Sequence, residues 1–250
     1  MWYNTHRSYE GVFSLNYIGV NKTIKNIEID ENKFINKGGY GKVYQLDNAL
    51  AAKVYYIKFP VKAKKDTKKV LKMVRQLDIP GMYKIFDLLY DKKTLEFKGY
   101  TMELVRGTPL SNLTPDIAKK ILELSSNRAI DLLVRLENIK YTLSNNNIYM
   151  SDDLGSNIFI HDNTFTVTDA DSYLYRPQKR LEILDENDDL VNTLEAALPI
   201  RCANVLGLSK EETDRIRENS KEIFLDKRNI LANKIEIIGK EKTLMKTLLK

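Results

Sequence analysis

The chain contains the run Ile35-Asn36-Lys37-Gly38-Gly39-Tyr40-Gly41-Lys42-Val43-Tyr44, and Ala51-Ala52-Lys53-Val54 follows it seven residues later. The first run predicts two strands joined by a glycine-rich turn, which lets backbone N–H groups approach phosphate oxygens. On its own, such a turn is equally typical of an ordinary flexible hairpin. Lys53 stands in an apolar strand, so its ammonium needs a polar partner, and a phosphate is one such partner. The two runs together predict a site for a nucleoside triphosphate.

Length and composition restrict the class of protein. The 250 residues correspond to one moderate domain or two small lobes. A hydrophobic fraction of 43% and a charged fraction of 30% are typical of soluble proteins. No apolar run is long enough for a membrane span, and residues 1–10 lack the pattern of a signal peptide. The single cysteine, Cys202, excludes an internal disulfide and fits a reducing compartment, so we expect a cytoplasmic protein.

The net charge of +6 is unevenly distributed. From Lys58 to Arg75 there are eight Lys or Arg residues against one acid, Asp66. This segment is either a patch for an acidic partner or a solvated helix face. No aromatic residue lies between Lys62 and Arg75, which argues against nucleic acid as the partner.

The order of local signals predicts an α+β chain in two parts, with a break near Arg106-Gly107-Thr108-Pro109. Residues 1–106 form the sheet-rich part and residues 107–250 the helical part. Strands are predicted at 12–20, 23–29, both ends of 33–44, 49–56, 83–89 and 98–104, with a helix at 64–77. Two helices are predicted within 116–143, and Thr114 is predicted to cap the first of them. A hairpin of 157–160 with 165–168 is predicted next. Helices are predicted from about 188 onward, one of them at 210–222.

Two polar segments bracket the predicted hairpin. Asp152 and Asp153 precede Asn157 in a loop, and Asp169 follows the second strand of the hairpin. Asn157 and Asp169 are therefore expected to meet at its open end. An amide oxygen and a carboxylate form an oxygen-only site suited to Mg²⁺. Either segment alone is also typical of turn chemistry, because Asp and Asn bond to their own backbone.

This ordered series resembles the protein-kinase-like superfamily, which contains protein kinases and related small-molecule phosphotransferases. The resemblance covers residues 35–172 and includes a hinge-like segment, Met102-Glu103-Leu104-Val105, followed by Gly107. Asp152 stands five residues before Asn157, and Asp169 stands twelve residues after it, as the family's catalytic Asp and metal-binding Asp do. The resemblance implies a bilobal kinase-like fold, with an antiparallel N-lobe sheet and a reduced helical C-lobe.

The resemblance also implies roles for individual residues. The implied ATP-binding residues are Gly38, Gly39, Gly41, Val43, Ala51, Lys53, Glu103 and Val105. Within that set, Lys53 would pair with the α and β phosphates, and backbone groups of Glu103 and Val105 would hold the adenine edge. Asp152 would orient or deprotonate the acceptor hydroxyl, while Asn157 and Asp169 would hold Mg²⁺.

The chain departs from the family pattern in several places. Met150-Ser151 stand where the family has His-Arg before the catalytic Asp, and Asp153 competes with Asp152 for that assignment. No Glu occurs between Lys53 and Lys93, so the glutamate that pairs with the family's lysine is missing, and Asp169 is one candidate to replace it. Asp171 stands at the family's glycine position, where it either joins the metal or caps the next turn.

These observations predict an ATP- and Mg²⁺-dependent phosphotransferase, a kinase. The preferred acceptor is a Ser or Thr hydroxyl of a protein, and a small-molecule hydroxyl is the other possibility, because no long activation segment follows Ser172. The missing glutamate and the altered His-Arg leave a second hypothesis open. In that hypothesis the chain is a pseudokinase, a regulatory module that binds nucleotide or a partner without turnover.

Overall fold

The computed structural model describes residues 12–18, 24–56, 61–122, 126–151, 154–161, 164–179, 182–184, 186–187, 198, 200–216 and 218. The first half of these residues is dominated by strands. Their bounds are β1 Val12–Ile18, β2 Ile24–Asp30, β3 Phe34–Lys37, β4 Gly41–Gln45, β5 Leu50–Tyr55, β6 Ile85–Tyr90 and β7 Phe97–Glu103. They form one sheet in the order β2-β1-β6-β7-β5-β4-β3, and every pairing is antiparallel.

The sheet curls around a small apolar core of its own. Strands β2 and β3 lie at opposite ends of the strand order, yet only the 3₁₀ turn Glu31–Lys33 separates them in sequence. Ile29 of β2 consequently packs in one cluster with Tyr44 of β4, together with Ala52 and Leu89. Residues 12–18 and 24–30 thus add two strands beside β6.

One helix, α1 (Val61–Leu77), connects β5 to β6 and packs against the sheet. Its apolar positions Val70, Leu71 and Val74 are buried at the helical spacing expected from the sequence. They belong to a large core that also contains Tyr55 and Tyr100 from the sheet. The helix begins three residues before the predicted Lys64 and ends at the predicted residue.

Short strands and helices follow the sheet. Their bounds are β8 Thr108–Pro109, α2 Pro115–Leu122, α3 Ser126–Asn145, β9 Ile148–Tyr149, α4 Leu154–Asn157, β10 Ile158–His161, β11 Thr164–Val167 and β12 Leu174–Tyr175. Strand β10 pairs with both β8 and β11, and β12 pairs with β9. Thr114 caps α2 as predicted, because its Oγ1 accepts from the Ile117 N–H at 3.4 Å. Residues 200–205 and 210–216 are helical as well.

Gly107 joins the segment after the sheet to the hairpin β10–β11. Its φ is +118°, and a Cβ at this position would lie 2.3 Å from the Ile160 carbonyl oxygen. Only glycine combines this conformation with so close an approach. The large core continues across this junction, since Ile158 and Tyr173 pack in the same cluster as Tyr55.

The predicted α+β class, with an antiparallel sheet and several helices, is confirmed. The predicted hairpin is confirmed as β10 and β11, paired from Ile158 with Val167 to His161 with Thr164. The division into residues 1–106 and 107–250 stays a prediction. The helix predicted to start at Asp188 begins outside the described residues.

Candidate functional site

A cleft of about 380 Å³ lies between the sheet and the segments around α4, β10 and the end of β11. It gathers side chains from widely separated parts of the chain. The lining residues are Ile35, Asn36, Lys37, Gly38, Val43, Ala51, Lys53, Met102, Leu104, Val105, Ser156, Asn157, Phe159, Thr168 and Asp169. One side of this set is apolar and the other carries charge, an arrangement typical of small-molecule sites.

The glycine hairpin β3–β4 forms one wall of the cleft. The Gly38 N–H donates to the Gly41 carbonyl oxygen at 2.9 Å and closes the turn. Gly38 and Gly39 have no neighbouring atom within 4 Å of an added Cβ. At Gly41, in contrast, a Cβ would lie 2.4 Å from the Val54 carbonyl oxygen. Close packing therefore requires glycine at position 41, whereas Gly38 and Gly39 lie in open space without side chains that could block a ligand.

The end of β7 and the residues after it form the apolar side. The Glu103 N–H donates to the Lys84 carbonyl oxygen at 2.9 Å, and the Leu104 N–H donates to Ala49 at 2.8 Å. These bonds use the backbone donors of both residues. The backbone N–H of Val105, which lines the cleft, has no hydrogen-bond partner among the described residues.

Lys53 stands at the charged end of the cleft. Strand β5 carries it between β4 and β7, and its side chain is only 6% exposed. The ammonium contacts Asp169 Oδ1 and lies 2.9 Å from Asp171 Oδ1. When both acids are ionised, the two carboxylates and the ammonium together carry a net charge of −1, which favours an additional cation.

The backbone after β11 fixes both acids. Asp169 has the left-handed conformation, with φ +67° and ψ +37°, which Asp adopts more easily than most residues. The chain then enters a 3₁₀ turn, Ala170–Ser172, and the Ser172 hydroxyl donates to the Asp169 carbonyl oxygen at 3.0 Å. The Thr168 N–H donates to the Asn157 carbonyl oxygen at 2.8 Å. The open end of the hairpin therefore holds Asn157 and Asp169 at the cleft, as the sequence predicted.

The two acids have opposite pKa shifts. Burial and the negative charge of Asp171 raise the pKa of Asp169 to about 7, although Lys53 opposes the shift. Burial also acts to raise the pKa of Asp171, but Lys53 and hydrogen bonds from Asp169, Lys53 and Tyr55 outweigh it and hold that pKa below its usual value. Burial lowers the pKa of Lys53, yet the two carboxylates raise it overall.

A Mg²⁺ ion fits the oxygen donors at this end of the cleft. Asn157 and Asp169 both line it, and the surplus negative charge of the cluster favours a cation. Within the described residues there is no group of three or more His, Cys, Asp or Glu side chains that could hold a metal. Because Mg²⁺ usually keeps several waters and binds substrate phosphates, a site with two protein ligands is compatible with it.

Most of the predicted site residues that the structure describes line the cleft, and the others lie beside it. The predicted residues that line the cleft are Gly38, Val43, Ala51, Lys53, Val105, Asn157 and Asp169. Gly39 and Gly41 belong to the hairpin itself, and the Glu103 carboxylate accepts from the Lys84 N–H at 3.2 Å. Asp152 and Asp153 lie outside the described residues, so their competing assignments stay predictions.

Asp171 pairs with Lys53, a contact that the sequence analysis did not assign to it. Its side chain is 1% exposed and lies outside the cleft lining, and the N-cap of its turn is Asp169. A contribution of Asp171 to the metal stays a prediction. Sequence reasoning missed the ion pair because Asp171 follows Lys53 by 118 residues. The signal that could have found it was the missing glutamate, which required another acid near Lys53.

The basic segment is partly engaged by aromatic side chains. The Lys69 ammonium lies 3.6 Å from the centre of the Tyr175 ring, and Lys68 lies 4.8 Å from that of Tyr90. Lys58 is outside the described residues. An acidic partner for the segment Lys58–Arg75 stays a prediction.

Comparisons with known proteins leave the site to be interpreted from its own chemistry. No protein-family model matches the sequence, and the search of curated proteins finds no significant relative. Within the described part of the chain, no helix has both the length and the apolar character that a membrane crossing requires.

Proposed function

We propose that this chain is an ATP- and Mg²⁺-dependent phosphotransferase with a protein-kinase-like bilobal fold, divided at residues 106 and 107. One observation carries the proposal. A single cleft combines a glycine-rich hairpin with Lys53, Asn157 and Asp169. Counted from the strand before the glycine turn, Lys53 lies on the third strand, as the phosphate-binding lysine of protein kinases does.

The apolar side of the cleft suits an adenine ring. Val43 and Ala51 would contact its faces, and Met102 would close the inner end. The backbone N–H of Val105 is an available donor for the ring edge, and the Glu103 carbonyl is the proposed acceptor. The triphosphate would then extend under the glycine hairpin toward Lys53, whose ammonium would pair with the α and β phosphates.

Asn157 and Asp169 are the residues that would hold Mg²⁺. The ion would neutralise the phosphate oxygens and orient the γ-phosphate for transfer. Asp169 contacts Lys53, and because a cation would compete with the ammonium for the same carboxylate, we expect this contact to loosen when Mg²⁺ binds. Lys53 would then remain with Asp171 and the phosphates.

The proposed acceptor is a hydroxyl group, which Asp152 would orient or deprotonate. A Ser or Thr side chain of a protein is our preferred acceptor, and a small-molecule alcohol is the alternative. Catalysis in this class depends mainly on positioning and on neutralising charge, so few catalytic groups are needed.

A second candidate function is a nucleotide-binding regulatory module without turnover. The favouring observation is that Lys53 already contacts two carboxylates, whereas α1 offers it no glutamate. If Asp169 stays bound to Lys53, no metal is positioned for transfer. Such a module would bind ATP with little dependence on Mg²⁺.

The proposal is tested by incubating the protein with γ-labelled ATP and measuring the label that is transferred to the protein itself or to a generic protein substrate. We expect transfer by wild type, loss of transfer in Asp152→Ala and Asp169→Ala, and no loss in Asp116→Ala. Asp116 is an exposed acid in the first turn of α2, and it serves as the control for removal of a carboxylate. Equal transfer by wild type and the first two variants would contradict the assignment. ATP binding without any transfer would support the regulatory module.

A further inference from the structure

The two acids beside Lys53 differ in their surroundings. Asp169 lines the cleft with 31% of its side chain exposed. Asp171 is 1% exposed and does not belong to the cleft lining. A carboxylate so deeply buried is stable only with a charged or hydrogen-bonding partner, and Lys53 provides the positive charge. Asp171 therefore contacts Lys53 from behind the cleft, and Asp169 contacts it from within.

A network of hydroxyl groups fixes the position of Asp171. The Tyr100 hydroxyl donates to Asp171 Oδ1 at 3.4 Å and lies 3.0 Å from the Tyr83 hydroxyl. The Ala170 N–H donates to the Tyr83 oxygen at 3.1 Å. Both tyrosines are buried, so the turn that carries Asp171 is anchored to the sheet through β7 and the segment before β6. This network ties the turn that carries Asp171 to the sheet and supports the contact of Asp171 Oδ1 with Lys53.

Helix α1 provides no acidic side chain that pairs with Lys53 in the part of the chain that the structure describes. Its only acid, Asp66, is exposed, and its other charged residues are basic. Among the described side chains of α1, Thr67 contacts this turn: it is buried and donates to the Asp171 carbonyl oxygen at 3.2 Å. The helix thus supports the backbone of Asp171 and contributes no charge to Lys53.

We propose that Asp171 is the positioning residue of Lys53: from the turn after β11 it holds the ammonium toward the bound phosphates, in place of an acid on α1. The inference rests on the proposed function for the identity of the phosphates. It also implies that movement of α1 alone does not remove the partner of Lys53. Lys53 is instead tied directly to the segment that carries the proposed metal ligand, so the phosphate-binding and metal-binding groups are placed together.

A double-mutant cycle in the absence of nucleotide tests the pairing. Unfolding is measured for wild type, Lys53→Met, Asp171→Asn and the double variant. Lys53→Met leaves the buried Asp171 without its cation, whereas Asp171→Asn leaves Lys53 with Asp169 as its remaining carboxylate partner. Because the Lys53–Asp171 attraction is lost in either single variant, we expect the two effects to be non-additive by about tenfold or more in the unfolding constant. The control pair is Arg75→Met with Asp87→Asn, whose charges lie 3.9 Å apart with more exposure, and its non-additivity should be smaller. Additive effects at Lys53 and Asp171 would overturn the pairing.

Moving the acid to α1 tests the positioning role. In Thr67→Glu with Asp171→Gly, the new carboxylate is expected to reach Lys53 from the helix, because Thr67 contacts the backbone of Asp171 and the space of the Asp171 side chain is vacated. We expect Asp171→Gly alone to weaken Mg²⁺·ATP binding about tenfold or more and the double variant to recover part of that loss. A purely structural role would lower the melting temperature without changing ATP affinity in the folded protein. That result, or unchanged affinity in Asp171→Gly, would overturn the positioning role.

Failure of the proposed function has a different signature. If wild type binds no Mg²⁺·ATP, the proposed function fails, and the positioning role toward phosphates fails with it. If wild type binds Mg²⁺·ATP while the unfolding cycle is additive, the inference alone fails.

Discussion

The glycine hairpin and the turn at residues 169–172 both border the cleft, but they are built in opposite ways. Every residue of β3 is exposed, and Gly38 and Gly39 have open space around them. The turn, in contrast, contains the buried Ala170 and Asp171 and is bonded to the Tyr83 hydroxyl. The tip of the hairpin therefore has little packing around it, while the turn presents charges that buried contacts support.

This difference has a functional meaning. A hairpin that closes over phosphates must change its position, and few packing contacts make such movement inexpensive in free energy. Charges that neutralise phosphates act best when they are placed before the ligand arrives. The following changes disturb one border at a time.

Removing Lys53 is expected to have the largest effect. Lys53→Met leaves Asp169 and Asp171 side by side without a cation, so the free energy of unfolding should fall by about 3–5 kcal/mol. Urea unfolding near pH 7.5 without nucleotide measures it. Adding Asp169→Asn should recover part of the loss, because it removes one of the two negative charges. A loss below about 1 kcal/mol in Lys53→Met would show that the turn does not depend on this ammonium.

Two glycines of the hairpin provide a matched pair. Gly41→Ala places a Cβ against the Val54 carbonyl oxygen, and we expect a loss of about 2–3 kcal/mol in unfolding free energy. Gly39→Ala meets no neighbouring atom and should change stability by less than about 0.5 kcal/mol. Equal losses for the two variants would contradict the distinction between the packed and open parts of the hairpin.

Stability should depend on pH through Asp169. Its pKa in the folded protein, about 7, lies above the ordinary value of 3.8, so the folded protein binds the proton more strongly than the unfolded chain. Between these two pH values the free energy of unfolding of the ligand-free protein should therefore fall as pH rises, by about 1–2 kcal/mol after allowance for partial exposure. Urea unfolding from pH 4 to 8 tests this slope. Asp169→Asn should flatten it, and an unchanged slope in that variant would assign the pH dependence to other groups.

The smallest expected effect concerns the hydroxyl network behind the turn. Tyr83→Phe removes the acceptor of the Ala170 N–H, and we expect a loss of about 1 kcal/mol in unfolding free energy. Tyr90→Phe is a matched control, because Tyr90 is buried in β6 away from the turn. If the two variants lose the same amount, the network contributes nothing specific to the turn.

The sequence was most informative where function depends on local patterns. The glycine turn, the cap at Thr114 and the β10–β11 hairpin each follow from residues adjacent in the chain, and the structure has all three. The hairpin also predicted that Asn157 and Asp169 would lie together, because its register brings its two ends side by side.

Contacts between distant segments could not be predicted in the same way. The pairing of β1 with β6 and the position of Asp171 behind Lys53 depend on how separate elements pack. Asp171 follows a strand and precedes a turn, a context in which Asp most often bonds to its own backbone. Its pairing with Lys53 becomes visible only in the structure, where Asp171 is buried next to the ammonium.

The central claim is that the cleft binds ATP with the help of a metal held by Asp169. A thermal-shift measurement with ATP, with and without Mg²⁺, tests it on wild type, Asp169→Ala and the control Asp116→Ala. We predict a rise in melting temperature with ATP that increases with Mg²⁺ in wild type and in Asp116→Ala, and no Mg²⁺-dependent increase in Asp169→Ala. No shift in wild type, or the same Mg²⁺-dependent increase in all three proteins, would contradict the claim.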